Sequence, residues 1–224
     1  MNSIYKIRNL SKSFSDNEVL SNINMDINKG EMISISGRSG SGKSTFLNII
    51  GFLEKPTSGE LIVYGKDITK TSKLEINKLL REKVTYLFQN YALIDNETIS
   101  QNLDISLIYS KENKNEKKRL KEEALEMVGL KQPLNTKIYS LSGGEQQRVA
   151  IARILLRSSE VILADEPTGS LDYNTKNDIL NLLIDLNKNG KTIIIVTHDE
   201  DVVSKCNRNI KLIDGKIESY NIDN

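Results

Sequence analysis

Residues 31–51, which read E-M-I-S-I-S-G-R-S-G-S-G-K-S-T-F-L-N-I-I-G, decide the fold of this chain. The apolar run at 32–36 predicts a buried strand, and the apolar run after Lys43 predicts a helix. The glycine-rich turn between them has the spacing G-x-x-x-x-G-K-[ST]. This pattern predicts a loop that binds phosphate.

The residue types in this turn suit a polyphosphate ligand. Several backbone N–H groups must converge on the phosphates, and Gly37, Gly40 and Gly42 permit the conformations that this requires. The helix that follows adds unpaired N–H groups and the positive end of its dipole. Lys43 supplies a charge for the outer phosphates, and the Ser44 hydroxyl can ligate Mg²⁺. A plain turn with a surface lysine is the alternative reading of this motif alone.

The composition limits the other possibilities. With 224 residues, we expect one domain or one domain with a subdomain. Lys+Arg 31 against Asp+Glu 30 leaves a formal net charge of +1, so the overall charge does not favour a nucleic-acid partner or an anionic membrane, and we expect no nucleic-acid partner. Cys206 is the only cysteine, so an intramolecular disulfide is excluded and a reducing compartment is favoured. No run approaches the roughly 18 apolar residues of a spanning helix, and we expect a cytoplasmic location.

An antiparallel β element is predicted before the phosphate loop. Residues 4–9 have the composition of a strand, and Ile23, Met25 and Ile27 alternate with polar residues. Phe14 lies between the two strands, where the pattern alone indicates a core or turn aromatic. Further along, the pattern predicts helices at 73–82, 98–107, 111–129 and 174–188 and a hairpin turn at Asp214-Gly215.

Polar side chains follow three apolar runs that are predicted to be buried strands. The carboxyl ends of parallel strands in an α/β sheet face the ligand crevice, so these side chains are candidates for a site. The runs span 84–88, 161–164 and 192–197, and the residues that follow them are Gln89, Asp165, Glu166 and His198.

The adjacent carboxylates can divide the work of hydrolysis. Asp165 can hold Mg²⁺ directly or through water, and Glu166 can polarise the water that attacks the terminal phosphorus. His198, the only histidine, can contact the outer phosphate. The alternatives are a polar strand end for the two carboxylates and a structural role for the histidine.

A second glycine-containing helix start lies at 141–148, L-S-G-G-E-Q-Q-R. Its two adjacent glycines, Gly143 and Gly144, allow a second phosphate to approach the backbone closely, with Ser142 as a donor. An ordinary N-cap explains Ser142 but does not explain both glycines.

Together these motifs resemble the ATPase subunits of ABC transporters, in the same order and at similar spacing. They are G-R-S-G-S-G-K-S-T at 37–45, Gln89, L-S-G-G-E-Q-Q-R at 141–148, V-I-L-A-D-E-P-T at 161–168, S-L-D at 170–172 and T-H-D at 197–199. The resemblance covers essentially the whole chain. It implies an α/β fold of the P-loop NTPase type, with a mostly parallel central sheet, an N-terminal antiparallel β element and a helical subdomain. In residues 1–224 the catalytic core would comprise 1–88 and 160–224, and the helical subdomain 89–159.

The resemblance also implies roles for individual residues. Phe14 would stack on adenine, whereas the pattern alone predicted a core or turn aromatic. Glu166, His198 and Lys43 would be catalytic, and Asp172 would be the aspartate of the D-loop. ATP would be bound by Gly37, Arg38, Ser39, Gly40, Ser41, Gly42, Lys43, Ser44 and Thr45, Mg²⁺ by Ser44, Gln89 and Asp165, and the signature residues would be Ser142, Gly143, Gly144 and Glu145.

The resemblance implies a head-to-tail homodimer. The resemblance therefore implies that the signature of one subunit closes on the ATP held by the phosphate loop of the other. It also implies a separate membrane permease, contacted mainly through 90–105, which would hold the chain at the inner face of the cell membrane.

Within the family, the chain resembles the subgroup for macrolide export, lipoprotein release and bacteriocin or peptide-antibiotic export. The segments that carry this likeness are 51–60, 88–94 and 164–172. The chain has Asp95 where the subgroup often has proline, which leaves the partner-contact surface less defined.

Two other classes share part of the pattern. Soluble ATPases of the same type power iron–sulfur cluster assembly or act on DNA, but DNA-repair members insert a long coiled coil where this chain has only 99 positions between Lys43 and Ser142 (142 − 43). A cluster-assembly ATPase stays an alternative. A small-molecule kinase would use the phosphate loop without needing the signature or the Asp165-Glu166 pair.

Overall fold

The structure, a computed structural model, describes residues 3–169 and 171–222, so Ser170 of the predicted S-L-D segment lies outside the described residues. The strands are β1 (Ser3–Phe14), β2 (Asn17–Asn28), β3 (Met32–Ser36), β4 (Ser58–Val63), β5 (Lys66–Asp67), β6 (Val84–Leu87), β7 (Val161–Asp165), β8 (Thr192–Val196), β9 (Arg208–Ile213) and β10 (Lys216–Ile222). The helices are α1 (Lys43–Ile50), α2 (Lys73–Glu82), α3 (Ile99–Asp104), α4 (Lys114–Met127), α5 (Gly143–Leu155), α6 (Tyr173–Lys188) and α7 (Glu200–Ser204).

The strands form two sheets, as predicted for this fold class. The larger has the order β10-β9-β3-β8-β7-β6, and all its pairs are parallel except β9 with β10. The smaller is antiparallel, with the order β2-β1-β4-β5. The strand before the phosphate loop, β3, is therefore central, and its carboxyl end lies at the same edge as those of β6, β7 and β8.

The central strands are covered on both faces, which explains their continuous apolar sequences. Alternate side chains enter two different clusters: Ile194 and Val196 of β8 face one cluster, and Ile193 and Ile195 face the other. The first cluster also contains α1 and the antiparallel sheet, and the second contains α3 to α6. Because successive side chains of a strand point to opposite faces, this one sheet contributes to both hydrophobic clusters.

The first two strands are longer than the alternation predicted. β1 and β2 have 12 residues each, because polar residues continue the pairing to the hairpin at Phe14 and Asn17. The register shifts between Ile7 and Leu10, and such irregularities obscure a simple alternation in the sequence.

Most helices begin where their capping residues indicate. Helix α2 has the predicted bounds, and Ser72 caps it by accepting from the Glu75 N–H. Helix α3 is shorter than predicted. Thr98 is its N-cap, in a capping box with Gln101, and after Asp104 the chain continues in turns whose N–H groups bond three residues back. Helix α7 is absent from the sequence prediction because its five residues are too few to show a period.

The helices between β6 and β7 pack mainly on one another. Helix α5 contacts α3 and α4, and it also contacts β6 and α6. The division into a core (1–88 and 160–224) and a helical subdomain (89–159) stays a prediction. Within the part of the chain that the structure describes, no helix has the length and apolar character needed to cross a bilayer.

Candidate nucleotide site

The phosphate loop connects β3 to α1 at the centre of the large sheet. Two of its glycines are required by close packing and by backbone conformation. Gly37 has φ 151°, and a Cβ there would lie 2.1 Å from the carbonyl oxygen of Leu212. Gly42 has φ 97°, and its Cβ would lie 2.8 Å from the carbonyl oxygen of Val19 on β2. The loop is therefore wedged between the two sheets.

Lys43 lies inside this loop. Its Nζ donates to the carbonyls of Gly37 and Arg38, both at 2.9 Å, and the side chain is buried. The hydroxyl of Ser41 is also buried, and it has no hydrogen-bond partner among the described residues. An ammonium and an unpaired buried hydroxyl in one loop are the donors that a phosphate oxygen would accept from.

A hydrogen bond between Ser44 and Asp165 joins the start of α1 to the end of β7. The Ser44 hydroxyl donates to Oδ1 of Asp165 at 3.4 Å, across 121 positions of sequence. The pKa of Asp165 is raised, first by burial and further by the charge of Glu166, while the Ser44 hydrogen bond and the Lys43 charge oppose the rise. A hydroxyl beside a carboxylate oxygen is a donor set that fits Mg²⁺.

Glu166 follows Asp165 in a left-handed conformation, with φ 45°. Its side chain is 14% exposed, and its carboxylate contacts two neighbours at the end of β8. Nδ1 of His198 lies 2.7 Å from one carboxylate oxygen, and the Thr197 hydroxyl donates to the other at 3.3 Å. The structure thus brings Glu166 and His198 together, and Thr197 is a neighbour that the sequence reasoning missed. Its position just before the histidine was the available signal.

Gln89 follows β6 in a turn and is exposed. β6 pairs with β7 at Leu87 and Ala164, so Gln89 lies at the same sheet edge as Asp165 and Glu166. In the sequence, only its position after the strand distinguishes Gln89 from other polar amide residues. Its place at this edge agrees with the predicted crevice.

Phe14 ends β1 at the hairpin, with 47% of its surface exposed. The pattern alone indicated a core or turn aromatic, and the structure places it at the turn. The ammonium of Lys12 lies 4.6 Å from the ring centroid and is fixed by a 2.7 Å contact with Glu54. A ring held in this way, on the sheet that contacts Gly42, is available for stacking.

The second helix start, at α5, is capped by its own residues. The Ser142 hydroxyl accepts from the Glu145 N–H, and the Glu145 carboxylate accepts from the Ser142 N–H at 2.9 Å. Ser142 and Gly143 are exposed. Among the described residues, no hydrogen bond or ion pair links 142–145 to the phosphate loop at 37–45. The structure therefore does not join these two predicted half-sites within one chain.

Gly144 has a packing reason that the sequence reasoning did not find. A Cβ at this position would lie 2.6 Å from Cγ2 of Thr175 on α6. Thr175 in turn donates from its hydroxyl to Asp172 at 2.6 Å, and Asp172 is the N-cap of α6. The start of α5 and Asp172, the predicted D-loop aspartate, thus both contact Thr175.

Comparison with known proteins agrees with this geometry. Residues 20–169 match the family described as ABC transporter. The chain belongs to the ABC transporter family. This ABC protein is 42% identical over 215 residues to the Bacillus subtilis (strain 168) protein named Uncharacterized ABC transporter ATP-binding protein YvrO, with 94% of each chain covered.

The ABC chain also matches larger relatives in part. It is 41% identical over 218 residues to Macrolide export ATP-binding/permease protein MacB 2 of Yersinia pestis bv. Antiqua (strain Antiqua). That match covers 96% of this chain and 32% of MacB 2, so the ABC chain spans about a third of that relative's length.

Solved structures extend the likeness to the fold. The dimeric structure of MJ0796, a bacterial ABC transporter cassette, has a TM-score of 0.90 and 40% identity, with 97% of this chain and 98% of that chain covered. A second dimeric structure of MJ0796, in a post-hydrolysis state bound to ADP and Pi, gives the same values. The ABC chain is therefore an ATP-binding cassette and an ATPase, as its motifs predicted.

Proposed function

We propose that this ABC ATPase drives a separate membrane permease that exports or extrudes a peptide, an antibiotic or a lipid-linked substrate. The likeness to MacB 2, a macrolide export protein that carries ATP-binding and permease functions in one chain, supports the export class. The likeness to YvrO, which is named an ATP-binding protein and is matched over 94% of its length, supports a separate permease.

The observation that carries the proposed chemistry is the cluster at the carboxyl ends of β7 and β8. Glu166 is the proposed general base, and its contacts with Thr197 and His198 fix the carboxylate where it can accept a proton from water. Lys43 and the loop N–H groups would bind the phosphates, and His198 would contact the outer one. Phe14 would stack on adenine.

Ser44 and Asp165, whose oxygens lie 3.4 Å apart, would hold Mg²⁺, together with Gln89 at the same edge of the sheet. When bound, it would neutralise charge on the phosphate oxygens. The burial that raises the pKa of Asp165 also favours a positive ligand beside its carboxylate.

The exposed start of α5 supports a site made from two chains. Ser142 and Gly143 face solvent, and no described contact joins them to the chain's own phosphate loop. In a head-to-tail homodimer each start would close on the ATP of the other subunit, and Asp172 would lie near the same interface. The dimeric structures of MJ0796 support this arrangement.

A groove of about 1220 Å³ is the proposed docking site for a cytoplasmic segment of the permease. It lies between β6 and the segment after α3, and Ile108 and Tyr109 on its wall are 70% and 72% exposed. The groove shares Ile105 with the predicted contact range 90–105 and extends beyond it. Exposed apolar surface of this kind is typical of a protein interface.

Reconstitution with a candidate permease, sought among the genes next to the gene for this chain, tests the proposal. We expect the permease in lipid vesicles to stimulate ATP hydrolysis several-fold, and Ile108→Asp in the groove to remove most of this stimulation. A chain that is stimulated instead by cluster-assembly proteins, and not by the permease, would support the soluble alternative.

A further inference from the structure

The side chain of Arg153, on α5, holds the segment that follows Gln89. Its Nη1 donates to the carbonyl of Ala92 at 2.6 Å, and its Nη2 donates to the carbonyl of Tyr91 at 2.8 Å. Within residues 3–169 and 171–222, no carboxylate forms an ion pair with Arg153. Its planar fork of donors is therefore committed to two consecutive backbone carbonyls.

Both carbonyls belong to residues in an unfavourable conformation. Tyr91 has φ 61° and Ala92 has φ 47°, which is the left-handed region that residues with a Cβ avoid. Two such residues in succession persist only where the surrounding structure holds them. The Arg153 guanidinium contacts both residues at once.

The same segment touches the other end of α5. A Cβ built on Gly143 would lie 3.3 Å from the hydroxyl of Tyr91, so the tyrosine ring reaches the start of the helix. Gly143 and Arg153 are ten residues apart, or about 15 Å along a helix. Tyr91 is thus held at its backbone by the late part of α5 and packs with its side chain near the early part.

We propose that Arg153 is a positioning residue for ATP-driven closure. It holds Tyr91 and Ala92 in left-handed conformations, and this places the turn after Gln89 against Gly143. The turn is thereby coupled to the exposed start of α5, which is proposed to meet the ATP of the partner subunit. This inference rests on the proposed dimer. Arg153 itself is not among the residues proposed to bind the nucleotide or to act on it.

Association of the subunit in MgATP tests the inference. In a Glu166→Gln background, which accumulates the ATP-bound form, Arg153→Lys should weaken dimerisation by tenfold or more in analytical ultracentrifugation. The affinity of the dilute monomer for a fluorescent ATP analogue should change less than twofold, because the phosphate loop is unaltered. Lysine cannot place two donors in the geometry of the guanidinium fork.

Substitutions at Ala92 distinguish a positioning role of Arg153 from a general loss of folding. Ala92→Pro leaves Arg153 in place but fixes φ near −65°, so it should reproduce the weakened association. The double variant Arg153→Lys with Ala92→Gly should recover at least half of the loss on a logarithmic scale, because glycine adopts positive φ without strain. Circular dichroism reports folding for each variant.

Arg157→Lys is the matched control. Arg157 also donates to two backbone carbonyls, those of Leu80 and Arg81 at 2.5 and 3.0 Å, and no described hydrogen bond joins it to the turn after Gln89. Its variant should dimerise like the parent. If Arg153→Lys also dimerises like the parent, or if Ala92→Pro does, the inference is wrong while the proposed function stands. A parent that fails to dimerise in MgATP would instead refute the proposed dimer.

Discussion

Glu166 has a strained backbone conformation, and its carboxylate contacts both Thr197 and His198. Successive residues of an extended strand point to opposite faces, so Asp165 and Glu166 could not both serve one site if β7 continued. The φ of 45° at Glu166 ends the strand and breaks this alternation. Strain of this kind is concentrated at functional sites, where the surrounding contacts hold it.

Glu166→Gln should lower the rate of ATP hydrolysis by roughly 10²–10⁴-fold, the effect typical of losing a general base. The amide still fills the space beside Thr197 and His198, so ATP binding should persist and the ATP-bound dimer should accumulate. Phosphate release under steady-state conditions measures the rate. Glu200→Gln, a change at an exposed glutamate on α7, is the control. Hydrolysis within a few-fold of wild type would remove Glu166 from this role.

Cys206 should resist alkylation in the folded protein. Burial raises the pKa of its thiol to about 11, and its Sγ donates to the Val202 carbonyl at 3.4 Å. At pH 8 only about 0.1% would be thiolate, the reactive form. Because the folded pKa lies above the unfolded value, the thiol form favours folding, and this contribution falls as the pH rises from about 9 to 11.

Iodoacetamide labelling followed by mass spectrometry measures this at pH 8, with and without urea. We expect labelling to be on the order of 100-fold faster in the unfolded chain, in proportion to the thiolate fraction. Equal rates in the two states would contradict the burial of this thiol.

At the scale of elements, the contact between α5 and α6 joins two motifs that the sequence separates. Gly144 at the start of α5 packs against Thr175 of α6, and Gln147 of α5 is buried and donates to the Pro167 carbonyl at 2.8 Å. Two contacts on one face of α5 therefore hold the signature next to the segment between β7 and α6. Movement of the signature helix should carry this segment with it.

Gly144→Ala should lower the free energy of unfolding by roughly 1–3 kcal/mol, because the added methyl overlaps Cγ2 of Thr175. Thr175→Ser removes that methyl and keeps the hydroxyl that donates to Asp172, so the double variant should recover most of the loss. Urea unfolding of the single and double variants measures the coupling. Gly143→Ala is the control, since its Cβ would meet only the end of the Tyr91 side chain, at 3.3 Å. Equal losses for the two alanine variants would contradict this packing.

At the scale of the whole molecule, one chain presents two surfaces that are proposed to meet phosphate, and no hydrogen bond or ion pair within the described residues joins them. One is the loop between the sheets, and the other is the exposed start of α5. In a head-to-tail dimer the loop of each subunit would meet the α5 start of the other, so that two-fold symmetry would form the same contact twice. Hydrolysis would then depend on the meeting of two subunits.

Mixing two inactive variants tests this arrangement. Lys43→Ala disables the loop and Ser142→Arg blocks the signature, so each homodimer lacks both sites. In the mixed dimer one site combines an intact loop with an intact signature, and activity should recover to about a quarter of the wild-type rate if subunits pair at random. Adding the Ser142→Arg change to the Lys43→Ala chain is the control and should abolish recovery. Recovery with that control, or none in the first mixture, would contradict a site shared between chains.

The sequence by itself determined the local parts of this protein. The glycine spacing at 37–42 predicted the phosphate loop, and the uninterrupted apolar runs predicted buried parallel strands with polar residues at their ends. These features are readable because each depends on neighbouring residues: a turn needs glycine where φ is positive, and a strand covered on both faces needs an apolar residue at every position. The resemblance of the motifs then indicated the family.

Only the tertiary structure decided which distant groups meet. The Ser44 to Asp165 contact joins residues 121 positions apart, and the Glu166 to His198 contact joins residues 32 apart. The left-handed pair held by Arg153 and the requirement for glycine at 144 were likewise invisible in the sequence. Such contacts depend on the order of strands in the sheet and on how helices cross, and no spacing along the chain encodes the distance between two side chains that fold together from far apart.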